Sequence, residues 1–243
     1  MIMKKQEIKK NLNCHFLEKN NLFKSLEQQN ENIIGSDEVG TGDVFGPIVF
    51  CAVLVNQKQI PFLKQIDIKD SKKLSPFQIQ KIMNEIKGKF LYQVKIVSPS
   101  EYNKLNKIYN LNKIKALSHN HTILNISKKI KKKIVILDQF VNYKLYFNYL
   151  KEEKEIYKDI IFETKADSKY MSVALASIIA RSIFLNEMKK INKKIGINLF
   201  LGASYKVDEQ IKQIYQKKNL IFFQKIAKCN FKNIKKNIKN IDK

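Results

Sequence analysis

Asp37 and Glu38 are adjacent carboxylates, set where an apolar run meets the glycine-rich segment Gly40-Thr41-Gly42-Asp43. Two more aspartates stand far downstream: Asp138 directly after Ile-Val-Ile-Leu at 134–137, and Asp167 just ahead of a helical pattern. A cluster of carboxylates with neither histidine nor thiolate selects hard, oxygen-seeking cations, Mg²⁺ or Mn²⁺. Two such ions about 4 Å apart activate a water and stabilise the leaving oxygen in an in-line phosphodiester displacement. Each acid also has a plainer reading. Asp167 suits a helix N-terminus, as a cap and through the dipole. Asp138 follows four aliphatics, where an ionised carboxylate needs a partner or a metal. Asp37 and Glu38, as neighbours on a regular strand, point to opposite faces. Both reach one metal only if the backbone turns near Gly40 and Gly42; otherwise one binds metal while the other makes a structural ion pair.

The charge balance names a partner for such a site. Lys and Arg number 46 against 22 Asp and Glu, a net charge of +24 over 243 residues. A field of that sign recruits polyanions. Codon bias toward Lys, Asn and Ile accounts for many lysines but not for the shortage of acids. Nucleic acid is therefore the favoured partner, ahead of an anionic membrane surface. Gly-Thr-Gly lacks the lysine of a Walker loop, which argues against nucleoside triphosphate binding. The informative basic residues are those among turn residues, in Asp70-Ser71-Lys72-Lys73-Leu74 and Gly202-Ala203-Ser204-Tyr205-Lys206. Arg181 is the sole arginine, which hints at a planar guanidinium needed for carboxylate or phosphate.

Cys14, Cys51 and Cys229 are scattered and odd in number, and the His119-x-His121 pair has no further ligands in reach of sequence. Neither a disulfide framework nor a zinc site is expected, and these residues read as ordinary core or surface positions. No apolar run approaches the ~20 residues that span a bilayer. The charged start lacks the apolar stretch of a signal peptide. A cytoplasmic, monomeric protein with no membrane or protein partner is the expectation.

The elements that would position the acids follow from periodicity. Residues 32–39 and 48–55 read as strands, the second almost continuously apolar and so buried on both faces. Ser75-Pro76 opens a helix whose apolar residues are Ile79, Ile82, Met83 and Ile86. Residues 90–97 form a strand, and residues 111–130 a long helix with Leu111, Ile114, Leu117 and Leu124 on its apolar side. Short strands are expected over 134–137, ending at Asp138, and over 160–162. From Ser168 to about Ile191 the pattern is helical, with Leu175, Ile178, Ile179 and Ile183 in one stripe and Ala174, Ser177 and Arg181 in another, small enough for close approach to a sheet. Residues 207–217 form an amphipathic helix, and the Lys-Asn-Ile tail after Phe231 is expected to be frayed or disordered. Strands alternating with helices give a layered α/β domain, and the early strand pair adds an antiparallel element, hence a mixed central sheet flanked by helices.

With these segments in view, the chain resembles the type 2 ribonucleases H, and specifically ribonuclease HIII. The resemblance rests on Gly-Ser-Asp-Glu-Val-Gly-Thr-Gly-Asp at 35–43, Asp-Ser-Lys-Lys-Leu at 70–74, Leu-Asp-Gln-Phe at 137–140 and Thr-Lys-Ala-Asp-Ser at 164–168, followed by Ala-Ser-Ile-Ile-Ala-Arg at 176–181 and Gly-Ala-Ser-Tyr-Lys-Val-Asp-Glu-Gln at 202–210. It implies a ribonuclease H-like fold and endonucleolytic cutting of RNA in RNA/DNA hybrids, leaving 5′-phosphate and 3′-hydroxyl ends. The family's metal-binding catalytic set falls on Asp37, Glu38, Asp138 and Asp167, with Mg²⁺ or Mn²⁺ as cofactor. Its nucleic-acid contacts fall on Gly40, Thr41 and Gly42, whose loop touches ribose 2′-hydroxyls, and on Ser71, Lys72, Lys73, Lys165, Ser168 and Lys206. The 2′-hydroxyl is how a protein tells RNA from DNA. Thr41 stands where the ribonuclease HII sister group usually carries a basic residue. The implied domains are an N-terminal extension over 1–32, a catalytic domain over 33–231 and a basic tail over 232–243. The family usually carries a TATA-box-binding-like substrate domain at its N-terminus, here absent or reduced, and the lysine excess is expected to compensate.

Overall fold

The nine-residue run Ile48–Asn56 is apolar at nearly every position and its residues 48–53 are buried on both faces, so it must lie inside a sheet. It does. The structure, a computed structural model, describes residues 32–66, 68, 74–131 and 133–238. Five strands, β1 (Asn32–Val39), β2 (Ile48–Asn56), β3 (Tyr92–Val97), β4 (Ile134–Asp138) and β5 (Ile160–Glu163), form one sheet in the order β3-β2-β1-β4-β5. The β3-β2-β1 half is antiparallel and the β1-β4-β5 half parallel, so the sheet is mixed, as expected.

Nine helices accompany the sheet among the described residues: α1 (Ile60–Gln65), α2 (Pro76–Ile86), α3 (Pro99–Leu105), α4 (Leu111–Ser127), α5 (Tyr143–Tyr149), α6 (Met171–Ile195), α7 (Tyr205–Tyr215), α8 (Leu220–Ile226) and α9 (Lys232–Asn237). Ser75 caps α2 as its sequence predicts: its hydroxyl accepts from the Gln78 N–H at 3.2 Å, while the Gln78 side chain accepts from the Ser75 N–H at 2.8 Å. The two central layers are α6 on one face of the sheet and α4 on the other. On the first face Val49, Cys51, Val53 and Val55 join Ala174, Leu175 and Ile178 in one core. On the second, Ile34, Ala52 and Val135 pack on Ile123 and Ile126. By length and composition α6 could cross a membrane, although no apolar run stands out in the sequence; its apolar residues are core, pressed against β1 and β2.

Three local expectations change. Helix α4 stops at Ser127 rather than Ile130, where the Lys133 ammonium donates to the carbonyls of Ser127 (2.8 Å) and Ile130 (2.7 Å) and closes the end. Its buried side is not the Leu111/Leu117/Leu124 stripe: Ile114, Ala116, Ile123 and Ile126 are buried together with Lys115, Ser118 and His119, because α4 is enclosed by the sheet on one side and by α5 on another. The tail does not fray at Phe231. Helix α9 buries Ile234, and Asp208 on α7 anchors it by accepting from Asn233 (2.7 Å) and Lys236 (2.6 Å).

Candidate active site

The parallel register between β1 and β4 brings two of the four acids together. Ser36 pairs with Leu137, so the next residues along, Asp37 and Asp138, end the two strands side by side. Both lie on the α6 face, in line with Ile33 and Ile136, which pack on Val173. Helix α6 comes unusually near because Gly35 has no side chain there; a Cβ would sit 2.2 Å from the Ser172 carbonyl carbon. That approach carries Ser177 to Asp37, which it meets in a side-chain hydrogen bond. Asp37 is buried, and its Oδ1 also accepts from the Glu38 N–H at 2.8 Å. Burial, then repulsion from Glu38 and, less strongly, Asp138, push its carboxyl well above the usual range against the opposing Ser177 bond.

Asp138 accepts the Ala166 N–H at 2.7 Å, which ties the end of β4 to the 3₁₀ turn Ala166–Ser168 and sets Asp167 one residue from that bond. Lys165 enters the turn with φ of 53°, a left-handed conformation that a lysine adopts only when its surroundings hold it. Lys165 and Ser168 are exposed beside Asp167, and the Ser168 hydroxyl donates to the Lys165 carbonyl at 2.8 Å.

Glu38 goes the other way. Strand β1 stays regular through Val39, with Glu38 paired to Phe50, so the backbone makes no turn between the two acids. The Glu38 carboxylate lies on the α4 face, ion-paired with Lys115 and 2.8 Å from His119 Nε2. Burial raises its carboxyl, but the hydrogen bond and charges of His119 and Lys115 outweigh burial and leave it below the usual range. Burial also lowers the His119 imidazole, against the pull of Glu38. A neutral His119 donates Nε2–H to Glu38 and leaves Nδ1 as acceptor, 2.9 Å from the Ser36 hydroxyl. Phe140 closes this cluster, its ring 4.0 Å from the Lys115 ammonium and stacked on His119 with centroids 5.6 Å apart. From sequence His119 reads as an ordinary core or surface residue, and Lys115 is not singled out. Their i, i+4 spacing on a helix was the available signal, since it sets both on one face.

The glycine-rich segment projects from the end of β1. Gly40 has φ of +102° and no room for a side chain, since a Cβ would lie 2.3 Å from the Pro47 carbonyl oxygen. Gly42 is exposed with open space around it, and Thr41 beside it is half-buried. Asp43 Oδ1 accepts the Gly202 N–H at 2.6 Å, and the Val44 N–H donates to the Gly202 carbonyl at 3.0 Å. The two turn segments picked out from sequence are thus stitched together, with Lys206 exposed in the first turn of α7. Ser71, Lys72 and Lys73 lie outside the described residues. Arg181 is half-buried one helical turn from Ser177, its Nε shielded from solvent with no hydrogen-bond partner among the described residues.

The carboxylate pair Asp37/Asp138, with Asp167 on the adjoining turn, suits a hard divalent cation by donor type and by the like-charge repulsion it would relieve. Among the described residues, no three His, Cys, Asp or Glu side chains are already gathered as a metal-binding group. The acids are positioned around the strand ends, with Glu38 engaged elsewhere.

The family model for ribonuclease HII matches residues 34–234. Ribonuclease HIII of Phytoplasma mali (strain AT) is 55% identical over 210 residues, covering 85% of this chain and 73% of its own length. Ribonuclease HIII of Lysinibacillus sphaericus is 38% identical over 84% of this chain and 68% of its own. Among solved structures, Bst-RNase HIII in complex with Mn²⁺ superposes with a TM-score of 0.81 at 36% identity, over 86% of this chain and 69% of that one. The ribonuclease H2 of Pyrococcus horikoshii OT3 superposes with a TM-score of 0.69 at 26% identity, over 84% and 96%. From the six ordered motifs, the mixed sheet and these matches together, the chain belongs to the ribonuclease HII family, and within it is similar to the ribonucleases HIII.

Proposed function

We propose that this ribonuclease H hydrolyses the RNA strand of RNA/DNA hybrids in a divalent-metal-dependent reaction that leaves 5′-phosphate and 3′-hydroxyl ends. The observation that carries the reading is the pair Asp37/Asp138 at adjacent parallel strand ends, with Asp37 buried and repelled by Asp138, on a chain of net charge +24. Asp37, Asp138 and Asp167 would hold Mg²⁺ or Mn²⁺; Glu38, the fourth acid of the set, would join them only if the end of β1 turned and freed its carboxylate from Lys115 and His119. Bound there, the ions would supply an activated water and charge neutralisation at the leaving oxygen. The protein's own part is positional. Ser177 and the Glu38 N–H orient Asp37; the Ala166 N–H orients Asp138. The Gly40-Thr41-Gly42 turn offers backbone N–H groups and a hydroxyl to the ribose side of the strand. Lysines, together with Lys165, Ser168 and Lys206 at the rim, hold the phosphates. The Mn²⁺ in the Bst-RNase HIII structure supports the choice of cation.

The test is cleavage with Mg²⁺ or Mn²⁺ of an RNA/DNA hybrid and of a duplex bearing a single ribonucleotide, with Asp138→Asn as control. Cutting chiefly of the hybrid, lost in the variant, is expected. Cutting of neither substrate would end this reading, and cutting chiefly of the second would move it to ribonuclease HII-type specificity.

A further inference from the structure

Lys228 is a lysine with no solvent exposure at all, in a chain whose other basic residues are mostly on the surface. Its ammonium donates to the Gly46 carbonyl at 2.6 Å. The backbone around it is joined to the same segment: the Lys228 N–H donates to the Val44 carbonyl (2.8 Å), the Gly46 N–H donates to the Ile226 carbonyl (2.9 Å), and Phe45 and Ala227 form an antiparallel bridge. Burying an ammonium costs several kcal/mol, and an apolar chain of similar length would fill the slot without that cost. Burial drives this lysine down to about 7, with Asp43 the charge that opposes the shift. A residue kept at such a cost is kept for its N–H.

What that N–H holds is the exit of the glycine-rich turn. Gly46 has φ of +84° and is followed by Pro47. The entrance is fixed by Gly40 pressed against the Pro47 carbonyl, and the flank by Asp43 on Gly202. Between these fixed points only Thr41 and Gly42 project. We propose that Lys228 is a positioning residue for ribonucleotide-strand recognition: through the Gly46 carbonyl it sets where the Thr41-Gly42 tip stands relative to Asp37 and Asp138. This rests on the hybrid-cleavage reading above.

The experiment compares the full chain with Lys228→Met, which fills the slot without a donor, and Lys228→Gln, which keeps a donor on a shorter stem. Amide hydrogen exchange over residues 40–46 reads the tip without substrate, and should speed up by roughly tenfold in Lys228→Met while the β1 and β2 amides hold their rates. Hybrid cleavage with Mn²⁺ should show KM raised by about tenfold with kcat within about twofold, and Lys228→Gln should fall between. In a Thr41→Gly background the same Lys228→Met change should add less than about twofold to KM, because both act through one tip. Unchanged exchange, a KM effect of equal size in both backgrounds, or a loss confined to kcat would overturn the proposal. If Lys228→Met does not fold, Lys228→Gln against wild type decides by the same readouts. Failure of the wild type to cut hybrid would count against the functional reading alone, since the exchange measurement still decides what Lys228 holds.

Discussion

Asp37 and Glu38 are one residue apart, yet the sheet sends them into opposite environments. On the α6 face Asp37 meets a serine hydroxyl, a second aspartate and apolar side chains, and its carboxyl is pushed up. On the α4 face Glu38 meets a lysine and a histidine, both lying against the Phe140 ring, and its carboxyl is pulled down. One face sets two carboxylates side by side and the other holds a closed ion pair. A site that is to take up a cation needs the first kind of environment, and a strand end that must not move needs the second. The adjacency of the two acids in sequence conceals this division.

The comparison breaks most visibly through activity. Asp138→Asn should cut hybrid cleavage by about a thousandfold with the fold intact, since it removes a charged oxygen ligand from the Asp37/Asp138 pair; cleavage near the wild-type rate would detach that face from the chemistry. The next effect is on stability. Lys115→Met leaves Glu38 buried beside His119 with its cation gone, and should cost about 3 kcal/mol in urea unfolding. A second change, Glu38→Met, should restore much of that loss. If Lys115→Met unfolds at the wild-type urea concentration, the α4 face is not held by its ion pair.

Asp37 should show the reverse sign. Its carboxyl titrates above the ordinary value when folded, so at neutral pH the ionised form opposes folding. Asp37→Asn should therefore gain about 1 kcal/mol of stability while losing cleavage, and a loss of stability would show that the face is not under repulsion. A last contrast is between two buried lysines: Lys115 contacts a carboxylate, whereas Lys228 contacts a backbone carbonyl. Lys228 titrates at about 7 when folded, and lysine in the unfolded chain titrates at about 10.4. The penalty for burying its charge is thus full below pH 7 and fades as pH rises toward the unfolded value. Wild type should gain stability relative to Lys228→Met between pH 7 and about pH 9, by denaturant unfolding at each pH. A constant difference across that window would count against the depressed lysine.

Much of this was legible without coordinates. Strands β1 and β4, the Ser75 cap and the mixed sheet follow from alternation, runs of aliphatics and capping chemistry, all of which act over a few residues. The candidate acids were legible as residue types at strand ends. The α4 stripe was misread because Leu117 and Leu124 satisfy helical spacing, yet the helix is packed on more than one side and buries Lys115 and His119 as well. The docked α9 was missed because its anchor, Asp208, comes from a different helix.

The sequence by itself therefore determined which residue types are available, the strand that carries Asp37 and Glu38, and the rule that neighbours on that strand point apart. Only the tertiary structure decided which helix each one meets. The parallel register of β1 and β4 set Asp138 beside Asp37; the missing side chain of Gly35 brought Ser177 within reach; the packing of α4 closed Lys115 and His119 over Glu38. Alternation along a strand is local and follows from backbone geometry. The charge environment of a side chain is a sum over neighbours distant in sequence, and no local pattern encodes that sum.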